Sequence, residues 1–165
     1  MGRSVGTTRL IAARRGTRGM EYFEDIGVGE TEEFGEYHVT AEEILEFAEQ
    51  YDPQPFHTDP EAAEESPFGG LVASGWHTAA MTMRMLVDNM PEERASAGAV
   101  GVDELRWRRP VRPGETLSVR TEIAEKEPWD DQFGLVHNDT TTVDADGETV
   151  MTFTGLVLYR RRPEE

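Results

Sequence analysis

The sequence predicts an α+β domain in which an antiparallel sheet wraps one long central helix. Three observations predict it. Residues 73–89 are the longest stretch with helical character, and they read apolar nearly all round through Trp76, Ala79, Ala80, Met81, Met83, Met85, Leu86 and Val87, the pattern of a buried helix. From Val100 onward the pattern becomes that of strands, over 100–108, 116–126, 133–144 and 148–160. Between the strands lie turns, Pro110-Val-Arg-Pro-Gly114, Pro128-Trp-Asp-Asp131 and Asp144-Ala-Asp-Gly147, of which Asp146-Gly147 is a strong hairpin signal.

The elements before the central helix follow in order. Phe23-Glu-Asp-Ile-Gly-Val-Gly29 places two glycines around one apolar residue and reads as an entry turn. Glu32 to Thr40 is a first strand with mixed faces. Thr40-Ala-Glu-Glu43 is a capping box, so a helix starts there, with Ile44, Leu45, Phe47, Ala48 and Tyr51 on one stripe. Pro53 ends it by forcing Asp52 out of the α region. Asp52 thus sits at a helix C-terminus, where the dipole disfavours a carboxylate and is expected to raise its pKa. The two prolines around Gln54 predict a stiff, irregular stretch through His57. Asp59 as N-cap and Pro60 at the first helical position then start a short helix over 61–65.

Composition sets limits on partners. The chain has 165 residues, enough for one domain with a real core. Its formal charge of −17, with one lysine, Lys126, argues against nucleic acid, because a surface this acidic repels phosphate backbones. A halophilic cytosol accounts for the charge, since at molar salt the Debye length falls to about 3 Å and carboxylate repulsion is screened. Cysteine is absent, which removes disulfides, thiolate nucleophiles and Cys-based metal sites together. No apolar run approaches the length of a membrane span, so a membrane location is not expected and a cytoplasmic one is. Residues 1–19 carry Arg3, Arg9, Arg14, Arg15 and Arg18 and no acid. They read as a disordered basic arm, residues upstream of a start at Met20, or a transit-type peptide, and are set apart from a domain over 20–165.

Two features carry candidate chemistry. Asp52 and His57 are five residues apart across a Pro-containing turn, and a carboxylate beside an imidazole is a common device for acid and base catalysis near neutral pH. On spacing alone the alternative is an Asp capping a turn and a surface His. Ser74-Gly75 opens the central helix, where amides lacking intrahelical partners can hold a developing oxyanion and glycine admits close approach. The alternative there is helix packing through small residues. No histidine pair has metal-ligand spacing, and no metal is expected.

The run Asp52-x-Gln54-Pro55-x-His57-x-Asp59, followed by Phe68-Gly69-Gly70-x-x-Ala73-Ser74-Gly75, resembles the hydratase motif of MaoC-like dehydratases and R-specific enoyl-CoA hydratases. The resemblance runs from about Tyr22 to Arg160 and includes Pro110-Val-x-Pro-Gly-Glu115-Thr-Leu. It implies a hot-dog fold around the 73–89 helix and a catalytic dyad of Asp52 and His57 acting on an acyl-CoA thioester. Gly75 would supply the oxyanion-hole amide. Gln54, Phe56, Phe68, Ser74, Trp76 and His77 would line the substrate site, although a core role for His77 is the alternative. Coenzyme A enters as part of the substrate, with no separate cofactor, and the family's habit implies a homodimer or a multiple of dimers. Arg106, Arg108 and Arg109, with Arg112 nearby, form a basic cluster able to take CoA phosphates or to pair with carboxylates. Where the family commonly has Asn and His-Gly, this chain has Gln54 and Ser74-Gly75. A hot-dog thioesterase and a non-catalytic acyl-CoA-binding module are the alternatives to a hydratase.

Overall fold

The computed structural model describes residues 19–164. The basic arm therefore lies, but for Gly19, outside the described residues. Five strands form one antiparallel sheet: β1 (Thr31–His38), β2 (Ser96–Trp107), β3 (Thr116–Pro128), β4 (Phe133–Val143) and β5 (Thr149–Arg160). Their spatial order is β1-β3-β4-β5-β2, so β1 and β2 are the two edges. Four helices, α1 (Ala41–Tyr51), α2 (Pro55–Thr58), α3 (Pro60–Glu65) and α4 (Gly75–Asn89), come between β1 and β2 in the chain. Among the described residues no helix is long and apolar enough to cross a membrane.

The local signals acted largely as the sequence implies. The Thr40 hydroxyl accepts from the Glu43 amide at 3.2 Å and starts α1, but the Glu43 carboxylate accepts from the Tyr37 hydroxyl rather than closing the capping box. Asp59 accepts from the amides of Glu61 and Ala62 at 3.0 and 3.3 Å and starts α3 at Pro60. At the β4–β5 hairpin, Asp144 Oδ1 accepts from the amides of Asp146 and Glu148, and Gly147 takes φ +81°, a conformation that favours glycine. The stretch at His57 also differs from expectation: residues 55–58 are a helical turn, not an irregular stretch. Pro55 occupies its first position, where a fixed φ is pre-organised for the helix and the missing N–H has no partner to lose.

The core lies between α4 and the sheet. Met81 and Met85 of α4 meet Leu117 and Val119 of β3, Met151 of β5, and Ile44 of α1. Each such side chain, fully removed from water, contributes about 1.5–3 kcal/mol. A hydroxyl pair fixes the helix height on the sheet: Thr82 Oγ1 donates to Thr78 O at 2.9 Å and accepts from Thr142 Oγ1 at 2.7 Å. These threonines are buried packing groups. The helix is not buried all round, however. Trp76, Met83 and Val87 are more than half exposed, because the sheet of one chain covers a single side of α4.

Candidate functional site

The Asp52 carboxylate comes from the end of α1 and the His57 imidazole from α2. Asp52 has φ −151° and ψ 67°, outside the helical region as Pro53 requires, while its amide still donates to Ala48 O. His57 is buried, not on the surface. Its Nδ1 lies 2.6 Å from Val72 O. A carbonyl only accepts, so Nδ1 carries a hydrogen and donates it to Val72 O, which leaves Nε2 turned to the other side. That Nε2 is 3.3 Å from Asp52 Oδ2.

Both oxygens of Asp52 are held. Gln54 Nε2 donates to Oδ1 at 2.6 Å, and Ser74 Oγ donates to Oδ2 at 2.7 Å from the far end of the loop. Burial alone pushes this carboxyl up. The bonds from Ser74 and Gln54, with the charge of His57, outweigh burial and hold it below the usual carboxylate range. The helix C-terminus argument gave the opposite sign. It counted only the local dipole, which falls off within a turn, and missed a donor 22 residues away.

Ser74 occupies the N-cap position of α4, yet its side chain makes no cap hydrogen bond and serves Asp52 instead. Among the described residues the first amides of α4, including that of Gly75, are therefore left without a side-chain acceptor. Gly75 itself is pressed by an indole. A β-carbon there would lie 2.8 Å from Trp107 Nε1 and nearer still to Cδ2 and Cε2, so only glycine fits. Trp76 meets the same indole edge-to-face at 5.1 Å. Phe56 packs edge-on against both His57 and Phe68, at 4.6 and 5.3 Å, and backs the imidazole.

His77 is set apart from the dyad's hydrogen bonds. Its ring stacks on Phe47 at 4.7 Å beside a groove of about 210 Å³ shared with Glu43, Glu46 and Gln50. It is a core histidine, 5% exposed, but not a satisfied one, because among the described residues Nδ1 has no partner. Burial lowers its pKa against a smaller opposing pull from Glu43. The arginines divide. Arg109 bonds Glu115 at 2.7 Å and Asp144 at 2.5 Å, which holds its guanidinium far above its ordinary pKa and commits it to structure. Arg112 donates to Phe68 O. Arg106 and Arg108 are exposed, bonding Leu105 O and Thr152 Oγ1, and among the described residues neither has a carboxylate within 4 Å. Trp107, whose indole lies against Gly75, is a residue that sequence reasoning did not single out.

With the fold and this geometry in place, likeness to known proteins becomes informative. The sheet order and enclosed helix are those of the hot-dog fold. The unliganded R-hydratase of Pseudomonas aeruginosa shares that fold at TM-score 0.69 over 86% of each chain, at 22% identity. The chain belongs to the MaoC-like dehydratase family, whose MaoC-like domain model matches residues 26–145. It is similar to the MaoC-like dehydratase of Rhodospirillum rubrum, at 41% identity and TM-score 0.78, covering 87% of this chain and 99% of that one. It is also 35% identical over 109 residues to a 3-hydroxybutyryl-CoA dehydratase of Methylorubrum extorquens. That match spans 65% of this chain and 66% of the relative, just under two thirds of it.

Proposed function

We propose that this protein adds water across the double bond of an enoyl-CoA thioester, or removes it from a 3-hydroxyacyl-CoA, with Asp52 and His57 as the catalytic pair. One observation carries the reading. His57 commits its Nδ1 hydrogen to Val72 O, which turns Nε2 toward the Asp52 carboxylate at 3.3 Å, so that in the neutral form of the imidazole two acceptors converge. Two acceptors at that separation suit a water molecule that donates one hydrogen to each. A proton leaves the water to the pair as the oxygen bonds Cβ, the π electrons move toward the thioester oxygen, and a proton returns to Cα from the same side.

The thioester oxygen gains charge in this step, and the free amide of Gly75 is the donor suited to it. Ser74 and Gln54 keep Asp52 ionised and oriented. Arg106 and Arg108 are suited to the CoA phosphates, a local basic patch on an acidic chain. Arg109 is not available for that role. A second copy of the chain is the fitting cover for the β2 edge, where Val100 and Val102 are exposed, and for the bare side of α4.

The test is crotonyl-CoA hydration at molar KCl, followed as loss of the enoyl-thioester absorbance, with Asp52→Asn and His57→Ala beside the wild type. Loss of the band with wild type only, without release of free thiol, supports the reading. Free thiol would point to a thioesterase, and binding without either change to a non-catalytic module.

A further inference from the structure

The β2 strand is interrupted just before it reaches the site. Asp103 pairs with Thr154 and Arg106 with Thr152, so β2 carries one residue more than β5 across that interval. Within this bulge Glu104 takes φ +51°, a left-handed conformation that is uncommon for a residue other than glycine. Its consequence is a change of parity. Before the bulge Val102 pairs with Gly155, and after it Trp107 pairs with Met151, whose side chain is in the core under α4. Cross-strand partners point to the same face, so Val102 and Trp107 share the helix-facing side although they are an odd number of residues apart. Without the extra residue one of them would face away.

The bulge therefore aims Trp107 at the N-terminus of α4, where its indole lies against the α-carbon of Gly75. Trp76 braces the ring edge-to-face. In the single chain the indole is 45% exposed, on the strand whose edge a second copy would cover. Strained backbone beside a candidate site is a costly arrangement to keep for packing alone.

We propose that Trp107 is a specificity-determining residue of this site, a wall that admits enoyl thioesters unsubstituted at Cα and disfavours those carrying a Cα methyl. The proposal rests on the hydratase reading, in which the Gly75 amide holds the thioester oxygen. A wall in van der Waals contact with Gly75 then stands within a bond or two of the thioester carbon. The groups at that distance are the sulfur, common to every substrate, and Cα with its substituent. Trp107 thus senses branching at Cα, and chain length is left to surfaces farther along the acyl group.

The test compares kcat/KM for crotonyl-CoA and trans-2-methylcrotonyl-CoA in wild type, Trp107→Ala and Trp107→Leu. A Cα methyl lowers intrinsic reactivity too, so the change in the ratio on substitution is decisive. A methyl group that a pocket wall rejects changes kcat/KM by about 10–200-fold, and removing the wall is expected to reduce the wild-type preference by a factor in that range. A merely structural role lowers both rates and leaves the ratio alone. Trp107→Leu keeps an apolar cover and preserves the comparison if Trp107→Ala does not fold. An unchanged ratio in a variant that still hydrates crotonyl-CoA overturns the role of Trp107 and leaves the hydratase reading standing. Wild type that hydrates neither thioester overturns the hydratase reading, and this inference with it.

Discussion

Replacing Ser74 by alanine tests the electrostatics of the site most directly. The substitution removes the 2.7 Å bond to Asp52 Oδ2 and leaves the Gln54 bond to Oδ1 and the His57 contact in place. A hydrogen bond to an ionised group contributes about 1.5–3 kcal/mol, and the Asp52 side chain is 19% exposed, so a replacement water recovers part of it. The net loss is expected to be about 1–2 kcal/mol at neutral pH. In a domain of this size that lowers Tm by roughly 2–8 °C.

The sign with pH follows from the direction of the Asp52 shift. Its folded pKa is lowered, so its contribution to stability is present above the unfolded carboxylate value and is lost as pH falls through the folded one. Ser74→Ala returns the folded value toward the ordinary range. The stability gap between wild type and variant should therefore be full at neutral pH and narrow as pH falls below the usual carboxylate range. If Asp52 must be ionised to act, the acid limb of kcat/KM for crotonyl-CoA moves to higher pH in the variant. Urea unfolding and pH-rate profiles at molar KCl measure both. A stability gap independent of pH, together with an unmoved acid limb, would refute the view that Ser74 acts through the Asp52 charge.

Two further outcomes are expected. Arg109→Met leaves Asp144 and Glu115 facing each other's surroundings without their cation, and a partly buried pair broken on one side loses about 3–5 kcal/mol, less here because all three side chains keep some solvent contact. A fall of less than about 0.5 kcal/mol in urea unfolding would show the cluster to be screened like a surface pair. Sedimentation at molar KCl should return twice the chain mass, and Val102→Lys, which places a charge on the exposed β2 edge, should shift it toward one chain. A monomeric wild type would sink the proposed pairing.

The sequence by itself determined the α+β class, the order of the strands along the chain, the start of α1 at Thr40 and of α3 at Asp59, and the end of α1 before Pro53. Those features are legible because their causes are local: a cap reaches two or three residues, a proline acts on its neighbour, and a hairpin turn lies between its own strands. The motif around Asp52 and His57 also carried the family. Only the tertiary structure decided that Ser74 bonds Asp52, and it thereby reversed the local expectation for that carboxylate's pKa. It also removed Arg109 from the phosphate candidates by bringing Glu115 and Asp144 to it, left one side of α4 uncovered, and turned Trp107 onto Gly75 through a bulge at a glutamate that no turn residue announces. Such outcomes depend on strand register and on contacts between distant segments. A single inserted residue reverses the facing of everything beyond it, and alternation in the sequence keeps no record of which residue is the extra one.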